Sequence, residues 1–280
     1  MHGAAFFDGL EPDRRTRIPV PLAIGPRGNL RSDDAVTLSR ERLNAGEVVV
    51  LAGVACTREL RALFDEMRRG ADLRESVVAM DMMAAAELGS IRRMREYAAD
   101  KSGWKRIQQV LRALDLSDER SKSPNETRMR LIWQLDAGFS KPLVNQHVWD
   151  RNGSLLGVAD ILDPVAGVVG EFDGADHRGA RRHSKDVDRE GRFRDRKLEF
   201  FRVTGLDIPD RPFVARRMSS TRSRARWLSE RERAWTIVPP PGWDLGPTLD
   251  EFLDERDYRW STYAQWEREG TPDLGGLIGM

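Results

Sequence analysis

Two short acidic stretches carry the residues most able to do chemistry. The first is Val158-Ala159-Asp160-Ile161-Leu162, and the second is Val168-Val169-Gly170-Glu171-Phe172-Asp173-Gly174. Both are apolar runs of strand length, joined by Asp163-Pro164-Val165-Ala166-Gly167, whose residues suit a turn. Side chains alternate along a strand, so Asp160 points with Val158 and Leu162, and Glu171 and Asp173 point with Val169. A hairpin turning near Val165–Ala166 brings Asp160 opposite Glu171 or close to it. Two facing carboxylates among apolar neighbours repel, at a cost of several kcal/mol per unpaired buried charge. A divalent cation removes that cost, and Mg²⁺ prefers hard oxygen ligands of this kind. Asp160 and Glu171 are therefore the candidate metal ligands. The competing reading puts them at strand ends in solvent, or pairs them with arginines of a neighbouring basic helix.

Flanking residues extend the candidate site. Ser123-Pro124-Asn125-Glu126 is a helix start, with Ser as N-cap, Pro at the first position and Glu at the third. Glu126 is either the capping-box glutamate or a third acid turned toward the sheet, and the two roles are compatible. His177 follows the second acidic strand by four residues, within reach of the same pocket, and a neutral imidazole can orient or deprotonate a water. Arg178 stands beside it. On the charged segment 180–198, Lys185, Arg189 and Arg192 share one face at spacings of four and three. Such a row holds phosphates, or is a solvated face paired with Asp186, Asp188 and Glu190.

The elements that must position these residues follow from periodicity. Residues 1–35 read as irregular, with one short strand near Arg17–Leu22. Glu47–Leu51 reads as a strand closed by Gly53. Four helices are expected over 58–69, 75–88, 90–99 and 103–114, with Met80, Met82 and Met83 as core filler. After a polar link the order is helix from Ser123, strands 143–150, 154–162 and 165–173, helix 180–198, strand 199–204 and helix 211–228. Asn152-Gly153 marks the first hairpin. This order implies an α/β (α+β) fold with a mixed sheet flanked by helices. We divide the chain into a mainly helical domain (1–118), a sheet domain (119–232) and an acidic, Trp-rich tail (233–280). An amphipathic helix is expected in the tail over 249–268, as a lid, an oligomer contact or a segment packed on the basic face.

Bulk composition narrows the classes. The 280 residues include 46 basic and 45 acidic side chains, but the charge is uneven. Residues 174–233 hold 18 Lys/Arg against 10 Asp/Glu, and residues 241–280 hold 3 against 9. A basic segment inside a near-neutral chain suits nucleic acid. Cys56 is the only cysteine, which excludes an intrachain disulfide and a cysteine-built metal site within these residues. No apolar run approaches the ~18 residues of a membrane span, and the start lacks a leader's basic region, so no membrane partner and a cytoplasmic location are expected.

Five ordered motifs carry a family resemblance. They are Ser-Pro-Asn-Glu-Thr-Arg at 123–128, Val-Ala-Asp at 158–160, Gly-Glu-Phe-Asp-Gly-Ala-Asp-His at 170–177, Lys-Asp-Val-Asp-Arg-Glu at 185–190 and Phe-Phe-Arg-Val-Thr at 200–204. Over about residues 120–230 the chain resembles the Vsr-like endonuclease domain of the PD-(D/E)XK nuclease superfamily. Leu51–Leu88 is similar, more weakly, to the segment preceding this domain in AbiEi-type antitoxins or regulators. The resemblance implies a four-stranded mixed sheet flanked by helices, with Mg²⁺ or Mn²⁺ at Asp160 and Glu171 and support from Glu126. It implies DNA phosphodiester hydrolysis by an activated water. The superfamily's usual lysine, two residues after the glutamate, is Asp173 here. Asp173 would then join the metal site and His177 take the base or orienting role, unless Lys185 moves in from the helix. The alternative function is a catalytically inactive DNA-binding regulator or antitoxin of the AbiEi type. A protein partner is expected at the N-terminal domain or the acidic tail.

Overall fold

The computed structural model describes residues 17–174 and 189–269, with side chains to Ser261. Two small sheets come first. Strands β1 (Val20–Ala23) and β2 (Val36–Ser39) pair in parallel, and β3 (Val48–Leu51) and β4 (Val54–Thr57) form an antiparallel hairpin. Its tip is Ala52-Gly53, both with positive φ. The sequence signals foretold β3 and its end at Gly53. They missed β2, and also β4, whose Ala-Cys-Thr run lacks a strand's alternation.

Helices α1 (Glu59–Arg69), α2 (Leu73–Ala85), α3 (Ile91–Ala99) and α4 (Ile107–Leu116) then build one apolar core. Phe64, Met67, Val77, Met80, Met94 and Val110 are its fully buried centre. Met80, Met82 and Met83 are buried, as core filler should be. Asp72 and Ser90 cap α2 and α3 by accepting backbone N–H bonds.

Helix α5 (Pro124–Leu131) begins at the foretold Ser123 cap and runs on as a π-helical turn, Ile132–Asp136. It serves both halves of the molecule: Leu131 lies in the helical core, while Met129, Ile132 and Trp133 lie against the sheet. The sheet contains β5 (Leu143–Asp150), β6 (Leu155–Asp163), β7 (Val168–Asp173), β8 (Glu199–Thr204) and β9 (Trp235–Thr236), in the order β8-β7-β6-β5-β9. Only β7 and β8 are parallel. Between them lie the helical residues 189–195, here α6, and after β8 comes α7 (Arg211–Arg224). Trp133, Phe201, Val203, Val214 and Met218 fill one side of the sheet, and Phe193, Leu198, Phe200 and Trp235 the other. The fold is thus mixed α and β, and from α5 to α7 the elements follow the expected order.

Three details depart from expectation. The sheet has a fifth strand, β9, from residues assigned to the tail, because Trp235 buries its ring in the sheet core and pairs with Asp150. The π-helical turn gave no sequence signal. The acidic helix α8 (Leu249–Glu269) packs on the helical half rather than the basic face. Asp250, Asp254 and Asp257 lie three and four residues apart, so they share a face. They meet Arg92 and Arg93 of α3 (Arg92 Nε–Asp250 Oδ2 3.0 Å, Arg93 Nη2–Asp254 Oδ1 2.7 Å, Arg93 Nη1–Asp257 Oδ2 2.7 Å). Leu253, fully buried, anchors the same helix. Among the described residues, no helix is long and apolar enough to cross a membrane.

Candidate active site

Both hairpin turns form as their residues dictate. Gly153 takes φ +84° between β5 and β6. Between β6 and β7, Asp163 Oδ1 accepts the N–H groups of Val165 and Ala166 at 2.9 and 3.0 Å, and Gly167 takes φ +79°. Tight turns fix register. Here Leu162 faces Val169 and Ile161 faces Gly170; the ladder ends there, with Asp160 and Glu171 the next residues on the two strands. On the other flank, β5 pairs Val144 with Ile161 and Gln146 with Ala159, which places Asn145 opposite Asp160. On β8, Arg202 is the partner of Glu171 and Thr204 that of Asp173.

Asp160 leans across to β7, where its Oδ2 accepts the Phe172 N–H at 2.7 Å. Its carboxyl is pushed up to about 7. Enclosure by protein is the largest cause, the negative charge of Glu126 the next, and Glu171 adds to it; the Phe172 N–H and the Arg189 cation pull the other way. Glu126 is held at the head of α5. Ser123 Oγ caps the Glu126 N–H (3.2 Å), and the Glu126 carboxylate accepts from Ser123 Oγ and, one residue before the capping-box position, from Lys122 N–H (both 3.0 Å). Its Oε2 also accepts from Asn145 Nδ2 at 2.8 Å. The cap and the approach to the sheet are therefore simultaneous.

Asn145 was not legible as a site residue. It sits within a strand at φ +44°, donates to the Arg120 carbonyl as well (2.7 Å), and ties the Glu126 carboxylate to the strand beside Asp160. The only signal was a turn-prone amide inside a strand-like run.

Glu171 is buried, and Arg189 Nη2 donates to its Oε2 at 2.5 Å. This realises the alternative in which an acid of the sheet pairs with an arginine of the basic helix. The expected row of cations on one face is corrected accordingly. Arg189 shares the inward face of α6 with the buried Phe193, one turn on, while Arg192 is exposed. Of the predicted phosphate contacts, Arg189 is committed to Glu171, and Arg192 has no ion-pair partner among the described residues. Asp173 is half-buried at the end of β7 and makes no side-chain hydrogen bond among the described residues. His177, Arg178 and Lys185 lie outside the described residues.

The structure thus gathers Glu126, Asp160 and Glu171 on adjoining elements, with Arg189 as counter-ion. In kind, these hard oxygen donors fit Mg²⁺ or Mn²⁺, and burial first, then the charge of Glu126, pushes the Asp160 carboxyl up. In arrangement, no group of three acidic, histidine or cysteine side chains among the described residues is set to hold a metal. Arg189 already holds Oε2 of Glu171, so a cation drawn to that oxygen competes with the guanidinium.

No protein-family model matches this chain, and comparisons with curated proteins and with solved structures give no match either.

Proposed function

We propose that this chain is a metal-dependent DNA endonuclease of the Vsr-like, PD-(D/E)XK type that its sequence motifs resemble. The observation that carries the proposal is the convergence of three acids: Asp160 accepts the N–H of Phe172, the residue after Glu171, and the charges of Glu126 and Glu171 both act on its carboxyl. Mg²⁺ or Mn²⁺ bound there would lower the pKa of a water and neutralise charge on the scissile phosphate. Asp160 and Glu171 would hold the ion. Glu126, pinned by Asn145, would keep the pocket negative before the ion arrives. Asp173 and His177 would orient the water, and Arg178, Lys185, Arg189 and Arg192 would take DNA phosphates. The helical half, similar in part to AbiEi-type regulators, would contact the duplex or a protein partner.

A second reading is favoured by one observation, the Arg189–Glu171 ion pair. In a nuclease fold that has lost catalysis, an arginine can replace the metal's charge permanently, leaving a DNA-binding regulator. A nicking assay on supercoiled and linear duplex DNA with Mg²⁺ or Mn²⁺ separates the two. The nuclease reading expects metal-dependent cleavage that disappears in Asp160→Ala and Glu171→Ala. Salt-sensitive DNA binding without cleavage in wild type, unchanged in both variants, supports the regulator.

A further inference from the structure

We propose that Arg189 is an exchangeable counter-ion: it neutralises Glu171 in the resting protein, yields that carboxylate to a divalent cation, and then takes a phosphate oxygen of the nucleic acid. The inference rests on the metal-site reading above and adds an order and a coupling to it.

Arg189 occupies a seat shaped for it. Phe193 is fully buried in the sheet core and fixes the rotation of α6, which aims the residue one turn earlier at the sheet. Opposite lies Gly157 of β6. A Cβ on Gly157 would stand 3.0 Å from Cγ and Cδ of Arg189 and 3.0 Å from the Phe193 ring. The missing side chain is therefore a notch in the strand through which the arginine stem passes. At its end, Nη2 meets Glu171 Oε2 at 2.5 Å. The guanidinium and a divalent ion seek the same carboxylate, so the binding of one opposes the other. A guanidinium released beside a metal-bound phosphate has a planar donor fork suited to that phosphate. Metal and DNA would then bind with positive coupling through Arg189.

The test measures Mn²⁺ binding calorimetrically on the full chain without nucleic acid, in wild type, Arg189→Gln, Gly157→Ala and Glu171→Gln. The proposal expects Mn²⁺ to bind at least tenfold more tightly to Arg189→Gln, and to bind little to Glu171→Gln. Gly157→Ala, which keeps every charge and sets one methyl against the arginine stem and the edge of the Phe193 ring, should also tighten binding and serves where Arg189→Gln does not fold. Equal affinity in wild type, Arg189→Gln and Gly157→Ala, with loss in Glu171→Gln, overturns the exchange and leaves the metal site standing. No binding by any of them overturns both. A second arm measures duplex affinity at constant ionic strength with and without Ca²⁺. The cation should raise the affinity of wild type at least fivefold more than that of Arg189→Gln, and equal rises overturn the transfer to phosphate.

Discussion

Replacing Asp160 by Asn should make the protein more stable at pH 8 and change little at pH 4. The carboxyl ordinarily titrates near 3.8 and is pushed up to about 7 in the fold, by its enclosure and by the charges of Glu126 and Glu171. Between these values the folded protein keeps a proton that the unfolded chain has released. Stability therefore falls as pH rises through that window, and the cost is complete above about pH 7. A displacement of about three pH units corresponds to roughly 4 kcal/mol, and partial solvent access brings this to about 2–4 kcal/mol. Asparagine carries no charge, and its oxygen can still accept the Phe172 N–H. Urea unfolding followed by tryptophan fluorescence should show Asp160→Asn gaining about 2–4 kcal/mol over wild type at pH 8, shrinking toward zero at pH 4. Mg²⁺ adds a second arm. At a hundredfold excess over its dissociation constant it should stabilise wild type by about 2.7 kcal/mol and leave the variant unmoved. A variant less stable than wild type at pH 8 would refute the reasoning, because Asp160 would then be a favourably held anion with no need of a cation.

Other predictions follow from neighbouring contacts. Asp81 and Arg130 form a fully buried ion pair at 2.6 Å joining α2 to α5, and Asp81 also accepts from Thr127 Oγ1 and the Asp118 N–H. Asp81→Ala should cost about 3–5 kcal/mol in urea unfolding, with the Asp81→Ala/Arg130→Met pair costing much less than the sum of the single changes. Gly170→Ala would set a methyl 2.2 Å from the Phe201 ring and 2.8 Å from Ile161, so it should destabilise by about 1–3 kcal/mol or more and be read as a lower urea midpoint. Arg93→Glu should release α8 by reversing its contacts with Asp254 and Asp257, speeding limited proteolysis after residue 245. DNA affinity should stay the same in that variant, because among the described residues α8 pairs with Arg92 and Arg93 and not with the basic segment; a marked gain would overturn this.

How much was legible depended on whether local or tertiary forces decided. The Ser123 cap, the Asn152-Gly153 hairpin and the Asp163 turn are local devices, and each formed where its residues demanded. Because those turns fix register, the nearness of Asp160 to Glu171 was also readable. What the sequence could not tell was the fate of each charge. Arg189 and Arg192 look equivalent at helical spacing, and only the burial of Phe193 turns one inward and leaves the other in solvent. Likewise, nothing local distinguishes the basic segment from Arg92 and Arg93 as the partner of the acidic helix. That choice depends on Leu249 packing against the helical core. Asn145 escaped notice because its left-handed backbone and its bond to Glu126 arise only once β5 and α5 are packed together.

A crystal of the full chain soaked in Mn²⁺ tests the central claim most directly. The account predicts an anomalous peak between the carboxylates of Asp160 and Glu171, with Arg189 drawn away from Glu171. An intact Arg189–Glu171 pair at saturating Mn²⁺, with no peak beside Asp160, would contradict it.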